Sequence, residues 1–426
     1  MTGNSVHVLM ATLVAISAIF VVTAVLVQPL RRLRQPQVIA EILAGIALGP
    51  SLLGLFPGDL TTRLFPQEIR PGLSAMAQVG ILLFMFLVGW ETNLRQVRAR
   101  GGTVLSISLS SFALPFGAGV VLAVWLYDEH KSVAQHNGGM PAFALFIGAA
   151  LAVTAFPVLA RIVREHRLHR SPVGSLSLAS AAVCDVLAWC ALAVVSAVAA
   201  SSGTARLWSL LGFTVVFAVV LVFLVRPLLG VLVRRLGPRG TAAPQLMALL
   251  VAGTFIAGYA ADRIGLDAIF GAFAFGLMMP RDSVHRLEAS VRVPLEHVTT
   301  LLVPVFFVSI GLTVDVTGLG GGGGVVELLV VITVACAGKL GGAAAAARLS
   351  GMSWRDATSI GILMNTRGLT ELIILNAGLS IGVLDTRMFT VMVLMALVTT
   401  AMAGPLLPSG LSRQSRRYED PAPAIP

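Results

Sequence analysis

Residues 178–189, LASAAVCDVLAW, form an apolar run that carries a single carboxylate, Asp185. Between Arg170 and Arg206 this aspartate is the only charged residue. A helix needs about 20 largely apolar residues to cross a bilayer, and this segment is long enough. A charge at mid-bilayer costs about 2.5–3.5 kcal/mol on insertion scales, so an acid placed there is a functional-site hypothesis by default. The run therefore predicts a membrane helix with a functional acid near its centre.

The composition supports a membrane protein. The chain has 426 residues, 56% hydrophobic and only 12% charged, with a mean hydropathy of +0.89. Soluble domains carry about 25% charged residues. The first apolar run, residues 8–27, lacks a basic leading region and a clear cleavage site, so it is predicted to be a retained helix. The chain is thus predicted to be a polytopic membrane protein.

Several other functions are disfavoured by residue placement. The net charge of +10 comes from short basic clusters between apolar runs, a pattern typical of membrane topology and not of nucleic-acid binding. The three cysteines lie inside apolar runs, so neither a disulfide framework nor a zinc site is expected. No P-loop and no membrane-embedded His/Glu or Ser/His set is visible, so we expect neither an enzyme nor a bound cofactor.

The apolar segments predict an all-α fold of about thirteen transmembrane helices. Their approximate ranges are 7–28, 37–55, 73–91, 103–127, 141–162, 172–200, 207–230, 245–262, 266–280, 294–314, 325–347, 356–380 and 386–408. With the N-terminus outside, 22 basic residues fall on the cytoplasmic side and 6 on the other. This asymmetry predicts a cytoplasmic C-terminus in the cell's inner membrane. Residues 1–411 are expected to form the transmembrane domain and 412–426 a short disordered cytoplasmic tail.

A weak internal repeat relates the two halves of the chain. FMFLVGWETNL (84–94) resembles FFVSIGLTVDV (306–316), and IAEILAGIALGP (39–50) resembles IFGAFAFGLMMP (269–280). The alignments pair Phe84 with Phe306, Gly89 with Gly311, Asn93 with Asp315, and Pro50 with Pro280. Each pair is seven spans apart, so the copies cross the membrane in opposite directions. Inverted-topology repeats of this kind are typical of secondary transporters.

The repeat pairs the fifth span with the twelfth, and both are irregular. The fifth has Pro157 near its middle with Thr154 beside it. The twelfth carries five polar or helix-weakening residues at membrane depth, namely Asn365, Thr366, Arg367, Gly368 and Glu371. Interrupted helices at matching positions of two repeats are the best sequence indicator of a transport site. A simple proline kink is the alternative for the fifth span.

Three further intramembrane charges accompany Asp185. Lys339, one of two lysines in the chain, lies among small residues, where a buried lysine can change its protonation. Snorkelling toward the cytoplasm is the alternative for Lys339. Arg367 and Glu371 are spaced i, i+4 and are expected to form a structural pair. Asp185 itself could hold a proton or a cation in turn, which would give antiport; permanent pairing with a base is the alternative.

These features resemble the cation:proton antiporter superfamily, specifically its second monovalent cation:proton antiporter branch. The resemblance runs from about residue 35 to 410 and is specific because six motifs match in order. They are QPQVIAEILAGIALGPSLLG (35–54), GILLFMFLVGWETN (80–93), TAFPVLARIVRE (154–165), GAFAFGLMMPR (271–281), LLVPVFFVSIGL (301–312) and LMNTRGLTELIILNAGLSIGVL (363–384).

The resemblance implies a sodium/proton antiporter fold with two discontinuous helices, the fifth and twelfth spans, that cross near the ion site. It implies a homodimer in the lipid bilayer that exchanges Na⁺ or K⁺ for H⁺. By position, Asp185 matches the family's ion-binding aspartate and Thr154 the polar residue of the first broken helix. Lys339 resembles the lysine that faces the aspartates in electrogenic relatives.

Two departures from the family pattern carry predictions. Many relatives have a second acid, or an asparagine, where this chain has Cys184. A thiol in an apolar setting is mostly neutral, so we expect electroneutral exchange of one cation per proton. No nucleotide-binding regulatory domain is expected in this polypeptide. A sodium-coupled solute symporter on a related scaffold, and a non-transporting membrane sensor, are the competing hypotheses.

Overall fold

The structure is a computed structural model that describes residues 3–92, 99–134, 138–169, 171–199, 205–236, 243–280, 287–314 and 322–408. Over these ranges the chain is helical, with no strand. The helices are α1 Gly3–Arg32, α2 Gln37–Leu48, α3 Leu60–Leu64, α4 Arg70–Glu91, α5 Gly101–Ala134, α6 Gly139–Ala152, α7 Phe156–Glu165, α8 Pro172–Ala199, α9 Ala205–Val220, α10 Arg226–Leu236, α11 Ala243–Ile264, α12 Ala268–Leu277, α13 Val293–Gly311, α14 Gly322–Leu349, α15 Trp354–Met364, α16 Leu369–Ser380, α17 Thr386–Ala401 and α18 Ala403–Leu406.

The predicted spans coincide with these helices. Among the described residues, 11 helical segments are long and apolar enough to cross a membrane. The ninth predicted span is the shorter apolar helix α12, and the twelfth consists of α15 and α16 with a break between them. The prediction of an all-α, many-span protein is confirmed. The tail 412–426 and the predicted loop arginines at 95, 98, 170, 239, 281 and 286 lie outside the described residues.

Contacts divide the chain into two compact units. The first comprises Met1–Glu91 and Gly212–Asp315, and the second comprises Thr92–Leu211 and Val316–Pro426. In the first unit α4 packs against α12 and α13, α2 packs against α13, and α11 packs against α12. Aromatic and aliphatic side chains of α4, α11 and α12, among them Phe86, Trp90, Leu250 and Phe275, fill its buried core.

Two close helix crossings in the first unit support the repeat. At one crossing Gly45 of α2 faces Gly311 of α13; at the other Gly89 of α4 faces Gly276 of α12. A Cβ atom at any of the four would come closer than contact distance to backbone of the facing helix. The second span therefore packs on the tenth as the ninth packs on the third, which is the pairing that two related copies produce. Asn93 and Asp315, the third aligned pair, lie outside the described residues.

Gly311→Ala is expected to lower the free energy of unfolding by about 1–3 kcal/mol, because overpacking of a tight core costs that much. The new methyl group would collide with the Ile42 carbonyl oxygen and with Gly45. Thermal unfolding of the purified protein in detergent measures the loss. Gly72→Ala on α4 is the matched control, since a methyl group there meets open space. Equal melting temperatures for the two variants would contradict the close crossing.

The second unit contains the two interrupted spans. Its long helices α5 and α14 pack against each other, α5 packs against α6, and α14 packs against α15 and α17. Helix α8, which carries Asp185, packs against α5, α6, α7 and α15. The residues singled out from the sequence as site residues all belong to this unit.

Candidate functional site

The fifth span is broken just before Pro157. Helix α6 ends at Ala152, the residues Val153, Thr154 and Ala155 are not helical, and α7 begins at Phe156. Pro157 thus lies in the first turn of α7, where the missing amide hydrogen has no helical partner to lose. The prediction of an interrupted helix agrees with the structure, but proline begins the second half and does not kink a continuous one.

The twelfth span is broken at Asn365–Gly368, and the two breaks touch. Ala155 N donates a hydrogen bond to Thr366 O at 2.9 Å, and Thr154 Oγ1 donates to Met364 O at 3.1 Å. A Cβ atom at Gly368 would crowd the Val158 side chain, so the lack of a side chain permits this approach. The unwound backbone of each span therefore satisfies groups of the other, as membrane burial requires.

Lys339 of α14 joins this crossing from the side. Its ammonium donates to Thr154 Oγ1 at 2.6 Å, to Ala152 O, and to Ser111 Oγ of α5 at 3.4 Å. The side chain is fully buried, which excludes the snorkelling alternative. Lys339 therefore ties α5 and α14 to the end of α6.

Arg367 binds the same half-helix from the other break. Its guanidinium donates to Ala150 O at 2.9 Å and to Leu151 O at 2.7 Å. It also pairs with Glu371 Oε1 at 3.2 Å, so the predicted i, i+4 pair is formed, with both side chains fully buried. Thr400 Oγ1 accepts from Arg367 N and donates to Arg367 O, each at 2.8 Å.

Two cations thus neutralise the buried C-terminal end of α6. The last carbonyls of a helix lack intrahelical partners and carry partial negative charge. Here the carbonyls of Ala150, Leu151 and Ala152 accept hydrogen bonds from Arg367 or Lys339. Because these donors are fixed on other elements, the end of α6 is held in place at the crossing.

Asp185 is buried on α8, with 3% of its surface exposed. The Lys339 ammonium lies within electrostatic range of the Asp185 carboxylate, and also of Cys184, Arg367 and Glu371. The Cys184 thiol donates to Ser108 O of α5 at 3.6 Å and is fully buried. The residues predicted from the sequence therefore meet in one buried region of the second unit.

The region offers oxygen atoms of the kind that bind hard cations or protons. Besides the Asp185 carboxylate, Asn365 Oδ1 and Glu371 Oε2 are buried and have no hydrogen-bond partner among the described residues. A proton and a metal cation compete for the same carboxylate because each neutralises it. Such a group can bind one or the other, which is the elementary step of exchange.

Sequence reasoning missed several members of this region. Ser111 and the three carbonyls at the end of α6 bind the predicted cations, and Thr400 binds the backbone of Arg367, yet none was singled out. Backbone carbonyls carry no sequence signal, and Thr400 lies 33 residues from Arg367 in an unremarkable apolar helix. The run SISLSS (106–111) was the one available hint of a polar face on α5.

Known proteins of similar sequence are named as antiporters of a cation and H⁺. Residues 15–412 match the family described as sodium/hydrogen exchanger, transmembrane. Na(+)/H(+) antiporter NhaS4 of Synechocystis sp. is 36% identical over 377 residues, which cover 88% of this chain and 91% of that protein. Cation/H(+) antiporter 15 of Arabidopsis thaliana is 39% identical, and K(+)/H(+) antiporter 1 of Saccharomyces cerevisiae is 33% identical. These matches cover 92% and 89% of this chain but 47% and 44% of those proteins.

The fold is also that of a solved structure. The sodium proton antiporter MjNhaP1 of Methanocaldococcus jannaschii superposes with a TM-score of 0.63 over 96% of this chain and 99% of that one, at 14% identity. The expected antiporter fold is therefore confirmed. The expectation of a transporter and not an enzyme is confirmed by the family match and by the relatives of similar sequence. With the family match spanning nearly all of its length, this multi-pass membrane protein belongs to the sodium/hydrogen exchanger family.

Proposed function

We propose that the protein exchanges a monovalent cation, Na⁺ or K⁺, for H⁺ across the membrane, with Asp185 as the shared binding group. The observation that carries this proposal is the position of Asp185. It is buried on a helix that packs against both halves of the first broken span and against the first half of the second. The names of the relatives point to the same exchange.

Other buried charges hold the crossing together. Glu371 is paired with Arg367, and Lys339 is bound to Thr154 and to the end of α6. We assign ion binding to Asp185 because it is the buried carboxylate on the helix that packs against the broken spans. In the proposed cycle Asp185 faces one side, releases its proton and binds a cation. It is then exposed to the other side, where it releases the cation, takes up a proton and returns protonated. Thr154 and Asn365 are the neighbouring groups that could add oxygen ligands to the cation.

The proposed stoichiometry is one cation per proton, because Cys184 adds no second carboxylate. Its thiol is buried and donates to a backbone carbonyl, a setting that favours the neutral form. Either a proton or a cation then neutralises Asp185, so one positive charge crosses the membrane in each direction. We further propose that the protein works as a homodimer in the cytoplasmic membrane, with the N-terminus outside.

Inside-out vesicles that contain the protein test the exchange. Na⁺, K⁺ and Li⁺ are added in turn to vesicles with an acidic lumen. An ion that the protein transports is expected to dissipate the proton gradient, and an ion that it does not transport is expected to leave the gradient intact. In proteoliposomes with proton leak controlled, an imposed membrane potential is expected to leave the exchange rate unchanged. A rate that follows the potential would refute the 1:1 stoichiometry, and no dissipation by any ion would refute antiport.

A further inference from the structure

A second charged cluster lies in the second unit away from the ion site. His130, in the last turns of α5, is 2% exposed and contacts two carboxylates. Its Nδ1 lies 2.6 Å from Asp385 Oδ2, and its Nε2 lies 3.5 Å from Glu327 Oε2. Arg387 of α17 donates to the other oxygen of Glu327. We call these four residues, His130, Glu327, Asp385 and Arg387, the histidine clasp.

The clasp joins four elements of the second unit. His130 belongs to α5 and Glu327 to α14, while Asp385 ends the turn between α16 and α17 and caps α17 by accepting from Met388 N at 2.7 Å. The His130 ring stacks on Phe143 of α6, with centroids 6.3 Å apart. Among the described residues, the groups found facing the imidazole are two carboxylates, one guanidinium and one aromatic ring.

The charge of the clasp depends on the imidazole proton. With His130 protonated, two cations face two carboxylates. With His130 neutral, Arg387 alone faces both among the clasp residues. Burial would raise the pKa of Asp385, but the hydrogen bonds from His130 and Met388 N and the nearby charges lower it below its usual value. Asp385 therefore stays ionised at neutral pH, and histidine is the side chain whose ordinary pKa, about 6.5, lies in the physiological range.

The clasp is connected to the proposed ion site through α16. Residues 381–384 link Asp385 to α16, a helix of 12 residues. The first turn of α16 carries Glu371, which pairs with Arg367 at the crossing of the broken helices. Asp385 is 22% exposed at its side chain and offers protons a route to the buried imidazole. Tightening or loosening of the clasp thus acts on the far end of a helix that forms part of the site.

We propose that the histidine clasp is a pH-sensitive restraint on transport: protonation of His130 fixes the far end of α16 and slows exchange, and deprotonation releases it. The clasp senses the side of the membrane reached by the turn at 381–385, the outer side in the predicted topology. The inference rests on the proposed antiport. The protonated form gains attraction to Asp385 and Glu327, so the restraint is present at low pH and is lost as the pH rises.

Two substitutions at His130 test whether the positive charge of the side chain controls the exchange rate. His130→Gln is neutral at every pH and is expected to exchange at the fast, alkaline rate throughout. His130→Arg is always charged and is expected to stay at the slow rate. The measurement is uptake of labelled Na⁺ or K⁺ against the same ion in proteoliposomes, with only the clasp-side pH varied from 5.5 to 8.5. The uptake rate of each variant is divided by the wild-type rate at the same pH, which removes the effect of proton competition at Asp185. Coupling between two sites is typically about 5- to 150-fold, and we expect the change of this ratio with pH to fall in that range.

His297→Gln on α13 is the matched control, because that histidine is exposed and belongs to the first unit. Its ratio to wild type is expected to be constant with pH. If His130→Gln does not fold, Asp385→Asn is the second variant; it keeps a capping side chain and is expected to flatten the profile. A constant ratio for His130→Gln or Asp385→Asn would overturn the clasp. Wild-type protein without any flux would instead refute antiport itself.

Discussion

Replacement of Asp185 by asparagine is expected to reduce cation-dependent proton flux to that of vesicles without the protein. Asparagine keeps the size and a carbonyl oxygen of the side chain but cannot take up and release a proton. It also removes the negative charge that would make cation binding favourable at a buried site. Proton movement in inside-out vesicles, started by addition of Na⁺ or K⁺, measures the effect.

The same chemical change at Asp267 is the control for this variant. Asp267 caps α12 in the first unit by accepting from Ile269 N at 2.8 Å, and asparagine is an equally good capping residue. Asp267→Asn is therefore expected to transport at the wild-type rate. Normal exchange by Asp185→Asn would show that the shared ion-binding group lies elsewhere in the protein.

Replacement of Lys339 by methionine is expected to destabilise the second unit and leave measurable exchange in the folded fraction. The substitution keeps the length of the side chain but leaves Ala152 O and Thr154 Oγ1 without their charged donor. Hydrogen bonds to charged groups contribute about 1.5–3 kcal/mol each, so the loss should total a few kcal/mol. Thermal unfolding in detergent and flux in vesicles, measured on the same preparation, test both parts.

Arg348→Met on the same helix is the matched control for Lys339. Arg348 is exposed near the end of α14, so its loss is expected to change the melting temperature much less. If Lys339→Met keeps the wild-type melting temperature but loses all flux, the lysine has a direct part in transport. That result would also reopen the stoichiometry, since a titrating lysine could carry a second proton.

The local pattern of residues was enough to predict the spans and to single out Asp185 as the candidate ion-binding acid. In lipid, the backbone N–H and C=O groups of a long apolar run find their hydrogen-bond partners within the run when it forms a helix. The length of each run therefore predicts a helix. A lone carboxylate within such a run, as at Asp185, is costly enough to indicate a function. Interruptions of the fifth and twelfth spans were predicted for a similar reason, because polar residues, glycine and proline weaken a membrane helix locally. All of these signals depend on neighbours in the chain.

The partners of the buried charges depend on the path of the chain in space. Lys339 binds Ala152 and Thr154, which are 187 and 185 residues away, and Asp385 binds His130 at a separation of 255. Apolar runs and charge spacing do not encode which distant carbonyl a lysine reaches. The position of the first break, before Pro157 and in contact with Thr366, was likewise visible only in the structure. Sequence thus determines which groups must find a partner in the membrane, and helix packing determines which partner each one finds.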